Sequence, residues 1–256
     1  MYLCQAIMLA EHPWIIAVFF LIATLYSAAG FGGGSGYLAL LSQLSSEQLL
    51  IRTAAYICNI VVTGTNSLRH QKFKWFSWKE TWPWIVLAVP CSFLGGTVAM
   101  GNDAYLLLLG GVLLVAAVLL MLRPTPSNQT SGALNKTWVQ LGMGGMIGFL
   151  AGVVGIGGGI FLSPLLHLTN WRSPERIASV SSVFILVNAL AGGTGYVLSN
   201  GMGDDYSLYL FLSLAVLGGA FLGTKFSFSE RGRRRIRFIT GVLVLLVGLR
   251  LLWQNG

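Results

Sequence analysis

The chain has 256 residues, of which 55% are hydrophobic and only 9% charged, with a mean hydropathy of +0.73. A soluble domain carries about 25% charged residues, so the composition excludes the water-soluble fold classes and makes the lipid bilayer the solvent. A net charge of +8 would fit nucleic acid in a soluble protein; here Lys and Arg gather in short loops between apolar runs, where membrane topology concentrates them, so no nucleic-acid partner is expected.

In chain order the apolar runs cover residues 13–44, 47–68, 81–101, 104–122, 138–168, 175–199, 206–225 and 238–253. No Lys or Arg precedes the first run, which is therefore expected to stay in the mature protein rather than leave as a signal peptide. The first and fifth runs exceed the ~20 residues that one crossing needs, and the same element interrupts both: Gly30-Phe31-Gly32-Gly33-Gly34 and Gly155-Ile156-Gly157-Gly158-Gly159. Broken backbone in lipid leaves polar groups unpaired at several kcal/mol each, so it persists only where protein or a water-filled cavity surrounds it. Between the fourth and fifth runs, 123–132 is rich in Pro, Ser, Thr, Asn and Gly and reads as a linker.

The two halves match beyond the glycines. Ser46-Glu47-Gln48 recurs as Pro174-Glu175-Arg176, Asn59 falls beside the position of Asn188, Gly95-Gly96 recurs as Gly218-Gly219, and Gly111-Val112-Leu113 as Gly241-Val242-Leu243. This pattern divides the chain into an N-terminal membrane repeat (1–122), a linker (123–137) and a C-terminal membrane repeat (138–256).

Charge decides how the repeats are oriented. If all eight runs crossed, the basic loops at 69–79 and 123–136 would face one side and those at 172–176 and 225–237 the other, against the positive-inside rule. If the glycine-broken runs are instead re-entrant hairpins, each followed by three crossings, all basic residues except Arg52 and Arg250 face the cytoplasm, while Asp103, Asp204 and Asp205 face out. Three crossings per half invert one repeat against the other, the arrangement of many alternating-access transporters. The expected fold is thus an all-α polytopic inner-membrane protein with two inverted repeats, each a re-entrant segment plus three transmembrane helices, and with both termini outside. Lengths strain this picture: 138–154 nearly spans the bilayer whereas 160–168 reaches about halfway, at ~1.5 Å per residue. The segment from Lys72 to Trp84, rich in Trp and basic residues, suits an interfacial belt. Gly144, Gly148 and Gly152, or Gly219 and Gly223, suit close helix packing.

A short helix is expected after each glycine cluster, starting near Gly36 and near Phe161, with Pro164 in its first turn. Each presents unpaired N–H groups and the positive end of its dipole to the membrane interior. Glycine lets an anion approach that backbone closely, so Gly32, Gly33, Gly34, Gly157, Gly158 and Gly159 are candidate substrate contacts; the alternative is that they only permit tight helix crossing. Asn59 and Asn188 are candidate side-chain donors. Thr63, Thr65, Asn66, Ser179, Ser181, Ser182 and Thr194 are also placed at membrane depth, where such groups commonly join helices. Arg52, whose counterpart is approximately Val180, either attracts the anion or gates the path; snorkelling to the outer surface is the competing expectation. Glu47 and Glu175 sit where helices start and are expected to complement the dipole. No other Asp or Glu lies deep in an apolar run, so protons, if coupled, travel on the substrate or through these edge glutamates.

Ser35, in Gly33-Gly34-Ser35-Gly36, is a further candidate contact and matches the Gly-x-Ser-Gly of intramembrane serine proteases. Such an enzyme needs a base, His167 is the one conceivable partner, and no enzyme is expected. Cys4, Cys58 and Cys91 and the three histidines are scattered, without metal-ligand spacing. No metal or cofactor is implied.

The paired glycine elements, Pro164, the Pro174-Glu175-Arg176 helix start and the eight-run layout resemble the sulfite exporter TauE/SafE family over essentially the whole chain. One departure is Ala39 at the position matching Pro164. The resemblance implies a bacterial-type secondary transporter of small sulfur-containing anions such as sulfite and sulfonates, with the lipid bilayer as its setting and oligomerisation left open. Two other classes stand beside it: a non-transport assembly factor for a respiratory or redox complex, and a passive anion channel.

Overall fold

The computed structural model describes residues 14–29, 32–45, 47–122, 132–225 and 230–255, with the side chains of residues 29, 132–133, 230–237 and 255 outside the description. Gly30 and Phe31 of the first glycine element, and the linker stretch 123–131, also lie outside the described residues.

Among the described residues the secondary structure is helical throughout. The helices are α1 (Trp14–Ala29), α2 (Gly34–Leu44), α3 (Gln48–Lys72), α4 (Trp78–Ile85), α5 (Ala88–Thr97), α6 (Asn102–Met121), α7 (Thr137–Val154), α8 (Gly159–Leu168), α9 (Pro174–Asn200), α10 (Tyr206–Lys225) and α11 (Glu230–Asn255), with a 3₁₀ turn at Gly132–Asn135 before α7. Of these, α6, α7, α9 and α10 are long and apolar enough to cross a membrane. The expectation of one continuous helix over 81–101 fails at Val86 and Leu87, which separate α4 from α5. Pro90 lacks the N–H that would bond the carbonyl of Val86, and it is tolerated because it falls in the first turn of α5.

Helix pairing repeats across the two halves. α1 packs on α10 as α7 packs on α5; α3 meets α10 as α9 meets α5; α2 touches α3 and α11 as α8 touches α9 and α6; α3 and α9 pack on each other, as do α6 and α11. The expected glycine stripes make these contacts close. A Cβ on Gly144, Gly148 or Gly152 would strike the carbonyls of Trp84, Ala88 (2.6 Å) and Ser92 respectively, and on Gly219 or Gly223 those of Phe20 and Thr24. The order of the pairs shows α7 running parallel to α4 and α5, and α1 parallel to α10.

Two ends of the bundle follow from specific contacts. At one, Glu80 at the start of α4 accepts from Arg172 Nε (2.9 Å) and Arg176 Nη1 (3.0 Å), and Arg172 Nη1 reaches Asn135 Oδ1 (3.3 Å) just before α7. Trp84, Leu134, Leu166 and Trp171 pack together there, Trp84 and Trp171 edge to face at 6.0 Å. The start of α7 and the end of α8 therefore share one end of the bundle. At the other, Gly203 lies against Leu49 at the start of α3, and Tyr209 Oη donates to Met202 O (3.2 Å).

Candidate functional site

Both short helices begin the same way. Gly33 (φ 89°, ψ −5°) caps α2 and Gly158 (φ 81°, ψ −8°) caps α8, each in the left-handed region that costs other residues about 1–2 kcal/mol. The helices start two residues earlier than the sequence suggested, at Gly34 and Gly159. Pro164 consequently lies in the second turn of α8, where its missing N–H leaves the carbonyl of Ile160 without its intrahelical donor. The first bond of α2 runs from Tyr37 N–H to Gly33 O (3.1 Å), and that of α8 from Phe161 N–H to Gly158 O (3.1 Å). The N–H groups of Gly34, Ser35 and Gly36, and of Gly159 and Ile160, precede those bonds and have no intrahelical acceptor. Gly32 to Ser35 and Gly155 to Ile160 are all buried, so two positive helix ends sit inside the protein.

The end of α7 is handled differently, by donors from the other half. Gly155 (φ 89°) turns the chain, and the N–H groups of Gly155 (2.8 Å) and Ile156 (3.2 Å) both close on Ala151 O as in a glycine C-cap. Gly152 O accepts from Arg52 Nη2 (3.0 Å) and from Tyr56 Oη, Val154 O from Tyr105 Oη (3.1 Å), and Ile156 O from Asn59 Nδ2 (3.2 Å). Arg52 does not snorkel. It is fully buried, with its guanidinium carbon 3.9 Å from the Tyr196 ring centroid and 5.6 Å from that of Tyr105. A cation at a helix C-terminus is favourable, and the aromatic rings add cation–π attraction; these contacts, rather than water, hold it. The two ion pairs among the described residues both belong to Glu80, so none of the carboxylates described pairs with Arg52.

Asn59 stands between the two glycine elements. A Cβ on Gly32 would lie 3.0 Å from Asn59 Oδ1, one on Gly34 would strike its amide, and one on Gly157 would lie 3.6 Å from Nδ2. Ile185 of α9 takes the corresponding place in the other half, against Gly159, Gly157 (2.7 Å) and Gly32 (3.1 Å). Thus the residue opposite Asn59 is apolar, and Asn188 lies about one turn further along α9. Asn188 is fully buried, neither amide atom has a partner, and its backbone carbonyl accepts from Ser92 Oγ (2.9 Å). Ser35 Oγ pairs with Tyr26 Oη at 3.1 Å.

The hydroxyls expected to join helices mostly bond their own. Thr63, Thr65, Ser182 and Thr194 each donate to the carbonyl four residues back, at 2.6–2.8 Å, which satisfies the group without a second helix. Glu47 sits at the N-cap of α3, its N–H on Ser45 Oγ (3.0 Å), and Glu175 in the first turn of α9. Sequence reasoning missed Tyr56, Tyr105, Tyr196 and Ile185. For Tyr56 a signal existed: it follows Arg52 by four residues and shares its helix face.

Comparison with known proteins places this geometry in context. The sequence model of the family described as sulfite exporter TauE/SafE matches residues 15–251. A probable membrane transporter protein of Sinorhizobium fredii is 30% identical over 248 residues, covering 95% of this chain and 99% of its own length. Probable membrane transporter proteins of Methanocaldococcus jannaschii (23% identical, 94% of this chain, 95% of its own) and Bacillus subtilis (24%, 94%, 97%) are similar as well. No solved structure matches.

Proposed function

The chain belongs to the sulfite exporter TauE/SafE family and is a multi-pass membrane transporter, and from that premise we propose that it is a secondary transporter of small sulfur-containing anions, sulfite or sulfonates, in a bacterial-type inner membrane. The anion binds between the N-termini of α2 and α8. Backbone N–H groups at Gly32, Gly33, Gly34, Ser35, Gly157, Gly158 and Gly159 hold its oxygens, Asn59 and Asn188 supply side-chain polarity, and Arg52 supplies the positive charge. The observation that carries this reading is the matched pair of buried, left-handed-glycine helix starts bridged by Asn59, because helix N-termini bind anions without burying a Lys or Arg in direct contact.

Alternating access follows from two inverted repeats, 1–122 and 138–256, joined by a linker, with α1–α2 and α7–α8 as re-entrant hairpins. The paired helix contacts, the parallel course of α7 and α4, and the meeting of Asn135, Arg172 and Glu80 at one end support it. That end is cytoplasmic, because Lys72, Lys74, Lys79, Lys136, Arg172 and Arg176 gather there, and both termini are outside. The test is uptake of radiolabelled sulfite and a small sulfonate into proteoliposomes, with and without a pH gradient, by the native protein and a Gly32→Ala, Gly157→Ala double variant checked for folding. Saturable native flux lost in the folded variant is expected. Flux unchanged by the substitutions would remove the glycine site, and no flux of either anion would remove the substrate class.

A further inference from the structure

The amide of Asn59 can be oriented from chemistry alone. Ile156 O only accepts, so the amide atom 3.2 Å from it is the Nδ2 donor. Oδ1 then faces the first glycine element, 3.0 Å from where a Cβ on Gly32 would lie and 2.9 Å from one on Gly34, while Nδ2 lies toward the second, 3.6 Å from a Cβ on Gly157. Asn59 is fully buried and Oδ1 has no partner, an omission that costs about 1–3 kcal/mol in a folded protein. A fully ionised oxyanion cannot satisfy Oδ1, because its oxygens are acceptors too. Ile185, opposite, has an apolar side chain, and its backbone carbonyl lies 3.3 Å from where a Cβ on Gly157 would be. The helix starts therefore offer several N–H donors with the unpaired side-chain acceptor of Asn59 beside them, and the unpartnered Asn188 amide lies about one turn past Ile185.

Charge gives a second, independent constraint. Arg52 lies seven residues before Asn59 on α3, about two turns along the same helix face. It also flanks the second glycine element, where a Cβ on Gly155 would lie 3.5 Å from Arg52 Cγ. It is fully buried and, among the described residues, has no carboxylate partner. One negative charge brings this interior to neutrality; two leave an excess charge in a low-dielectric setting, which is costly.

Resting on the transport reading above, we infer that the anion bound between α2 and α8 is a singly protonated oxyanion, its O–H accepted by Asn59 Oδ1 and its single charge balanced by Arg52. For sulfur(IV) that species is hydrogensulfite rather than the sulfite dianion; a sulfonate, which carries one charge but no O–H, leaves Oδ1 unpaired and is the weaker ligand of the two substrate types. The proton rides on the substrate and dissociates in water on the far side, so no intramembrane carboxylate is needed.

The experiment is initial-rate uptake of radiolabelled sulfite into proteoliposomes from about pH 6 to about pH 8, in one series with hydrogensulfite held constant and in another with the dianion held constant. Among the described residues, the buried titratable or charged side chains that α3 and its neighbours present to this region are Arg52, Tyr56 and Cys58 on α3, Tyr26 on α1, Tyr37 on α2, Tyr105 on α6, Tyr196 on α9 and Tyr209 on α10, and their ordinary pKa values lie outside that range. His70 and His167, at the far ends of α3 and α8, are replaced by Gln in a control. The expected result is a flat rate in the first series and about a tenfold fall per pH unit in the second, unchanged in the histidine control. An Asn59→Leu variant is expected to lose at least about tenfold of this flux, equivalent to about 1.4 kcal/mol. Rates that follow the dianion, or a profile that moves with the histidines, overturn the inference while leaving transport standing. Absence of saturable flux at every pH from a folded protein overturns both.

Discussion

Replacing Gly33 with Ala isolates the backbone device on which the site depends. Gly33 has φ 89°, and forcing an L-residue into that region costs about 1–2 kcal/mol. The new methyl would lie 2.7 Å from Tyr37 Oη and 2.8 Å from Cζ. Tyr37 cannot swing away, being fully buried and stacked on Phe19 with ring centroids 4.8 Å apart at 12°. Overpacking of that kind adds about 1–3 kcal/mol. The expected loss is therefore about 2–5 kcal/mol, and Gly158→Ala, with φ 81° and Phe184 Cε1 at 2.8 Å, should cost a similar amount. Gly64 is the control. It lies inside α3 with nothing within 4 Å of a built Cβ, so Ala there should stabilise the helix by up to about 1 kcal/mol. Equilibrium unfolding in mixed detergent micelles reads all three variants on one scale. A Gly33→Ala protein within about 0.5 kcal/mol of native, a range typical of unconstrained surface positions, would refute the claim that this turn requires glycine.

Arg52→Met should leave stability within about 2 kcal/mol of native, since losing a charge-assisted hydrogen bond and cation–π contact is offset by no longer burying a charge. Its anion flux should fall at least about tenfold, a change of about 1.4 kcal/mol, measured beside a thermal melt of the same preparation. Gly148→Ala places a methyl 2.6 Å from Ala88 O, and separating α7 from α5 should cost about 1–3 kcal/mol. Because Glu80 and Arg176 meet at 3.0 Å, a Glu80→Cys, Arg176→Cys pair should cross-link with a short thiol reagent added from the cytoplasmic side, and cross-linking only from the other side would contradict the orientation assigned to that end. Glu80→Gln alone should cost no more than about 1 kcal/mol, as half-exposed ion pairs contribute little, read by the same thermal melt.

Much of the architecture was legible because lipid permits few alternatives. The duplicated glycine elements located both short helices to within two residues, and the spacing of Gly144, Gly148 and Gly152 marked a contact face that does press on α4 and α5. The break at Val86 was missed because two prolines in an apolar run, Pro83 and Pro90, are each tolerable alone in a first turn or a kink. The fate of Arg52 was illegible for another reason: its partner is the carbonyl end of α7, one hundred residues away in sequence, and backbone acceptors leave no trace in side-chain identity. The same holds for Asn59, whose Nδ2 is taken by Ile156 O. Side-chain register between repeats was also beyond the sequence match, since Asn188 looked like the partner of Asn59 while Ile185 fills the corresponding place against Gly159.

The most direct test of the anion site is crystallographic: crystals of the protein soaked with selenite, an anomalous scatterer of the same oxyanion geometry, with the anomalous map compared against the positions of α2 and α8. The expected result is one peak with its oxygens roughly 2.7–3.2 Å from the N–H groups of Gly34 and Gly159 and beside Asn59 Oδ1, weakened in competition with sulfite. Peaks confined to the basic surface around Lys72, Lys74 and Arg172, with none between the two helix starts, would contradict it.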